Sequence, residues 1–378
     1  MSTGSDIGTL YPFLKRQVDH GTGKMAFLRP EYSNVEAWGR EARAKVFELM
    51  RYSPPPVDPA PRLISREKRE GYTLERLEFA TTPDIRVPAF LLLPDHASGP
   101  SPALVALHDH GGFYYVGKEK LVEDAKEHPA VRAFKAQSYA GRSIASDLAR
   151  QGYVVIVIDA FYFGERRLIL DDDPSEWVER RPGVSEELIR TMNARAGEME
   201  AITARSVYTA GITWMGIWAW DDIRTVDYLR TRKEVDPERI GCLGLSVGAY
   251  RTLHLMALDP RVKVGVAVCW LSELGPLIRK NIRNTVGMSK IIPGLYPLLD
   301  LPDLAALAMP RALMTISGAR DGLFTKESME GAIRTLERTY AKAGIRDRYR
   351  GDMDDTPHEF NADMQSRARA WLDRWLRT

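Results

Sequence analysis

Cysteine is scarce: Cys242 and Cys269 are the only two among 378 residues. Two thiols cannot build the disulfide framework of a small secreted domain. Each lies in or beside an apolar run, so both are expected as buried free thiols. An excess of charge of one sign is equally lacking. Lysine and arginine number 53 against 51 aspartate and glutamate, a formal net charge of +2 with both signs interspersed. A chain without a basic face offers no electrostatic footprint for a polyanion, which argues against nucleic acid as a partner and against sustained attraction to a membrane surface. No apolar run reaches the length of a membrane-spanning helix. Met1 to His20 has no apolar run behind a basic stretch, as a secretory leader would, so a cytoplasmic protein is expected. Internal repeats and low-complexity tracts are missing too, which removes solenoids and arrays from consideration. With 44% hydrophobic and 28% charged residues, the composition excludes neither one large domain nor two. Nothing in it opposes a homo-oligomer.

Along the chain, Asn34 to Arg51 carries Val35, Trp38, Ala42, Val46 and Leu49 or Met50 at helical spacing. The proline-rich segment Pro54 to Pro61 then reads as a stiff connector, so residues 1–70 are taken as an N-terminal helical extension and 71–378 as the main domain. Thr73–Ala80 and Ile85–Phe90 alternate apolar and polar around the turn Thr82-Pro83-Asp84, a hairpin signal. Short apolar runs follow at Ala103–Leu107, Val154–Ile158, Ile240–Leu243, Val262–Val268 and Ala312–Ile316. Helical stretches at Tyr139–Gln151, Gly216–Arg230, Ser246–Leu258 and Lys326–Ala343 separate them. A last strand near Arg346–Arg350 and a helix over Ala362–Leu376 close the chain. Uninterrupted apolar strands alternating with helices predict an α/β fold, with a mostly parallel central sheet of about eight strands and flanking helices. Two stretches, about 165–214 and 274–299, break the alternation. Each follows the end of a strand, where such sheets place their ligands, and each is read as a cap insertion.

The strongest local motif is Gly244-Leu245-Ser246-Val247-Gly248, between an apolar run and a helical pattern. Glycines let strand and helix approach through a strained turn that lifts the serine hydroxyl above the sheet. A neutral serine is a weak nucleophile and needs a base. Among the seven histidines, His254 and His358 follow the serine in the chain order Ser, acid, His. His254 lies eight residues along the same helix, about 12 Å away by helical rise, which leaves His358. An orienting acid is expected after the strand Ala312–Ile316, where Asp321 is the acid in the turn; Glu273, after the preceding strand, is the alternative. The oxyanion of a tetrahedral intermediate would be held by backbone N–H groups of Val247 and of His110 or Gly111, in the loop His108-Asp109-His110-Gly111-Gly112. Two histidines around an aspartate also suit a metal, yet no second ligand cluster follows downstream, so no metal or cofactor is expected. Gly21-Thr22-Gly23-Lys24 lacks the spacing of a phosphate loop.

Leu107–Gly112, Gly244–Gly248, Leu258–Lys263, Ser317–Asp321 and Pro357–Phe360 together resemble the dienelactone-hydrolase-like and acetyl-xylan-esterase-like branch of the α/β-hydrolases, over about residue 71 to the C-terminus. The resemblance implies cleavage of a carboxylic ester through an acyl-enzyme. Position 246 is serine where the dienelactone hydrolases proper carry cysteine, and Val247 stands where acetyl esterases often carry glutamine. The expected partner is a small-molecule ester. A peptidase or amide hydrolase and a carbon–carbon hydrolase use the same residues, whereas a non-catalytic binding protein of this fold normally lacks one of the three reactive positions, all of which are occupied here. Of the aromatic residues near the strand ends, Phe113, Tyr114, Tyr162 and Trp270 are expected along the pocket. Arg166 or Arg167 could meet an acidic substrate, though solvated surface charge explains them as well.

Overall fold

The computed structural model describes residues 3–19, 23–95, 99–179 and 183–377. Residues 1, 2 and 20–22, on which the readings of the N-terminus and of Gly21–Lys24 partly rest, lie outside the described residues, as do 180–182 within the first insertion.

Nine strands, among the described residues, form one sheet in the order β1-β2-β3-β5-β4-β6-β7-β8-β9. They are β1 (Arg62–Arg69), β2 (Tyr72–Ala80), β3 (Arg86–Pro94), β4 (Ser101–Leu107), β5 (Val154–Ile158), β6 (Val235–Leu245), β7 (Val262–Val268), β8 (Ala312–Gly318) and β9 (Tyr349–Asp354). The first three strands and the β3–β5 junction are antiparallel, and every pair from β5–β4 to β8–β9 is parallel. The expected eight strands become nine through β1. Its sequence, RLISREKR, is exposed at all but its last residue, so no burial rhythm marks it. Backbone pairing with β2 holds it at the sheet edge, where charge also discourages pairing with other chains.

Alternation along the strands divides the core between the two faces. Val154, Ile156 and Ile158 pack with the helices Val35–Met50, Trp214–Thr231, Val247–Leu258 and Lys326–Lys342. Val155 and Val157 pack on the other face with Ile144–Arg150 and Ala362–Leu376. Both faces are covered, which is why the central strands read as unbroken apolar runs.

Two expected elements shift. The helix anticipated over Tyr139–Gln151 is two helices, Pro129–Tyr139 and Ile144–Arg150. The break is made by Ala140 and Gly141, both at positive φ, which ends the first helix in a left-handed turn. The last strand starts at Tyr349, because Arg346–Arg348 forms a single tight helical turn. The two stretches read as insertions carry the long helix Glu186–Thr209 in one case and the short helices Leu274–Arg279 and Ile282–Thr285, followed by the turn Met288–Lys290, in the other. Tyr208 of the first donates to the Ile291 carbonyl of the second at 2.6 Å.

Candidate active site

β6 ends in a strained turn. Ser246 has φ 58° and ψ −125°, a conformation that costs a non-glycine residue of order 1–3 kcal/mol and persists only where the surroundings impose it. Its N–H is held by the Val268 carbonyl at 2.8 Å, and its own carbonyl accepts from Tyr250 at 3.0 Å. Gly248 is dictated by sterics, since a Cβ there would run into the Leu107 carbonyl oxygen at the end of β4. The helix Val247–Leu258 starts immediately after, so Val247 is among the first residues of a helix, whose N–H groups have no intrahelical acceptor.

Asp321 and His358 come from neighbouring turns after β8 and β9. These are laced together by Ala319 N–H to Asp354 O (2.7 Å) and Arg320 N–H to Thr356 O (3.0 Å). The Asp321 side chain is fully buried, and His358 Nδ1 bonds to its Oδ2 at 2.6 Å. Its other oxygen accepts from Leu323 N–H at 2.9 Å. A proton on Nδ1, held by the carboxylate, leaves the Nε2 lone pair free to accept. Glu273 does not meet this imidazole: it accepts from Thr335 at 3.0 Å and fills the space beside Gly331. His254 is enclosed in the core with Nδ1 against Tyr250 O at 2.8 Å, and burial pushes its pKa down to about 4.

The loop after β4 is braced from below. Lys120, fully buried, donates to the carbonyls of Asp109 (2.8 Å) and His110 (2.9 Å). His108 Nε2 accepts from Ala160 N–H at 3.1 Å, which places its proton on Nδ1, directed to Asp109 O at 2.9 Å. Gly111 sits at φ 56°, and a Cβ there would strike the Phe134 ring and the Asp109 carboxylate. The two histidines thus brace the loop.

Ser246, Val247, His110, Gly111, Trp270, Asp321 and His358 line one cleft of about 620 Å³, together with Glu200, Arg283, Thr285, Met288 and Lys290 from the insertions. A second groove, of about 670 Å³ and lined by Arg76, Tyr115, His128 and Arg167, holds none of Ser246, Asp321 and His358. Of the four aromatic residues expected along the pocket, Trp270 lines the cleft. The other three pack behind it, because their rings complete the core under the insertions. Phe113 meets Phe134 with centroids 5.4 Å apart, Tyr114 stacks on Phe163 at 5.1 Å, and Tyr162 packs on Trp214 at 5.0 Å while donating to Ala196 O. Arg166 is spent on Asp221 at 2.7 Å, and Arg167 on the carbonyls of Gly164 and Trp177, so neither supports the acidic-substrate reading.

Among the described residues, Cys269 Sγ lies within 4.8 Å of ligand atoms on Asp321 and His358, residue types that bind metals. Burial pushes the Cys269 thiol up to about 12, which opposes the thiolate a metal needs, and both Asp321 oxygens are already engaged. Sequence reasoning missed Glu200, Ser289 and Lys290. For Glu200 a signal existed: it occupies the buried stripe Ile189, Met192, Ala196, Glu200, Ala204, Val207 of an otherwise amphipathic helix.

A model of the abhydrolase family matches residues 11–172, and one of the dienelactone hydrolase family matches residues 133–286. The chain has the α/β-hydrolase fold. The second match is to the family that the sequence motifs resemble. The chain is 26% identical over 336 residues to YtaP of Bacillus subtilis (strain 168), a protein named as a hydrolase, covering 89% of this chain and 99% of that one. A Bacteroides fragilis NCTC 9343 structure named as an acetyl xylan esterase aligns with TM-score 0.66 at 19% identity, over 92% of this chain and 83% of its own. A glucuronoyl esterase from Solibacter usitatus aligns with TM-score 0.62 at 15% identity, over 93% and 96%. At such identities these two structures testify to the fold.

Proposed function

We propose that this α/β-hydrolase is a serine esterase that cleaves a carboxylic ester of a small molecule, with a short acyl group such as acetyl, through an acyl-enzyme on Ser246. His358 takes the Ser246 proton on Nε2 as Oγ attacks the ester carbonyl, while Asp321 holds the Nδ1 proton and stabilises the imidazolium. The backbone N–H groups of Val247 and of Gly111 or His110 bind the oxyanion, each typically lowering the barrier by about 3–4 kcal/mol. Collapse of the intermediate expels the alkoxide, which leaves with the proton from His358. Water then attacks the acyl-enzyme by the same route in reverse roles.

One observation carries the reading: a serine held at positive φ between β6 and its helix shares a cleft with a histidine already bonded to a buried aspartate. The cleft volume suits a small molecule. That two structural neighbours bear esterase names favours ester over amide. The test compares short p-nitrophenyl esters with peptide p-nitroanilides on wild type and Ser246→Ala. Ester turnover that falls by at least ~10³-fold in the variant is expected. Amidase activity with negligible esterase activity, or a variant as active as wild type, would reject the proposal.

A further inference from the structure

Resting on the esterase reading, we propose that Glu200 is a positioning residue: acting through His110, it sets the Gly111 peptide N–H in the oxyanion site and ties that site to both insertions. The carboxylate takes four donors. Oε2 accepts from His110 Nε2 at 2.7 Å and from the Tyr114 hydroxyl at 2.6 Å, both on the loop after β4. Oε1 accepts from Ser289 and from Lys290 Nζ at 3.0 Å, both in the second insertion. Glu200 itself belongs to the helix Glu186–Thr209 of the first. Four donors fill the acceptor capacity of one carboxylate, so the contact is built rather than incidental.

The direction of control follows from proton positions. His110 Nδ1 accepts from Gly112 N–H at 3.0 Å and must be unprotonated, so the ring carries its proton on Nε2 and needs an acceptor there. Glu200 is that acceptor. Burial, with the Lys290 charge next, keeps His110 neutral by pushing its pKa down to about 4. The turn His110–Gly112 is thereby closed on its own imidazole, with Gly111 and Gly112 both at positive φ. On the far side Lys120 holds the His110 carbonyl. In a trans peptide the C=O and N–H point in opposite directions, so the carbonyl held by Lys120 turns the Gly111 N–H the other way. Lys120 and Glu200 therefore fix the same peptide plane from two sides, the second through a contact that depends on both insertions.

The test is Glu200→Gln, which keeps shape and removes charge, read as kcat and KM on p-nitrophenyl acetate alongside His110→Asn and the double variant. Asparagine at 110 retains an acceptor for Gly112 N–H but not the Glu200 contact. Either single change should lower kcat by about 10–100-fold, less than removal of an oxyanion donor, with KM within about twofold. The double variant should be no worse than the poorer single one. A merely structural glutamate would lower Tm and leave kcat per folded molecule unchanged; that result, or losses that multiply in the double variant, overturns the proposal. If Glu200→Gln fails to fold, His110→Asn decides alone, because an unchanged kcat there breaks the link. Failure of the esterase reading is seen separately, as wild type without ester turnover or Ser246→Ala with it.

Discussion

The floor and the wall of the cleft are built by different physics. On the floor, Ser246, Asp321 and His358 sit on turns at the ends of β6, β8 and β9, held by backbone hydrogen bonds and by glycines with no room for a Cβ. In the wall, residues 186–209 and 274–299 are joined by the ion pair of Glu200 with Lys290 and by the Tyr208 hydroxyl on the Ile291 carbonyl, while the Asp300 carboxylate receives Leu274 N–H and Leu301 N–H at the base of the second stretch. Neutral backbone geometry is indifferent to pH, whereas a buried carboxylate is not. The turns that carry Ser246, Asp321 and His358 are thus set by backbone geometry, and the wall above them is tuned by charge.

The floor is broken most sharply at Asp321. Asp321→Asn preserves volume but removes the acceptor that holds the His358 Nδ1 proton, so kcat should fall about 10²–10⁴-fold with the melting temperature little changed, as steady-state kinetics and thermal melts would show. A fall of less than about threefold would mean that the contact is structural only. A smaller effect sharpens the wall. Burial first, and for Asp303 also the neighbouring Asp300, raises the Asp300 carboxyl to about 6 and the Asp303 carboxyl to about 7. Folded-state values above the unfolded ones mean that the folded chain binds more protons between about pH 4 and 7, so this contribution to stability fades as pH rises through 7. Asp303→Asn, which keeps an acceptor for Asp300 N–H, should raise Tm by about 1–3 °C at pH 8 and leave it unchanged at pH 4. The imidazoles of half-buried His110 and buried His254, lowered to about 4, act oppositely: their contribution is intact above about 6.5 and lost as pH falls toward 4.

Legibility in the sequence follows the same division. The elbow and the turn acid could be read because each stands out as a short motif after an apolar run, the loop histidine because it stands out by chain order after a polar strand, and five of the central strands appeared as apolar runs. β1 could not, since an exposed edge strand owes its place to pairing and not to a hydrophobic rhythm. The wall was opaque for a different reason. Glu200 meets His110 across 90 residues and Lys290 across another 90, and no local pattern encodes which distant charge will answer a buried one. The aromatic expectation failed in the same way, because a ring near a strand end reads alike whether it faces the cleft, as Trp270 does, or supports it from behind, as Tyr162 does.

The central claim is that Ser246 becomes covalently acylated, and a fluorophosphonate probe tests it directly. After labelling, proteolysis and mass spectrometry, a single adduct on the peptide bearing Ser246 is predicted, with loss of esterase activity in proportion to labelling. Folded protein that hydrolyses esters but carries the adduct on another residue, or none, would contradict the account.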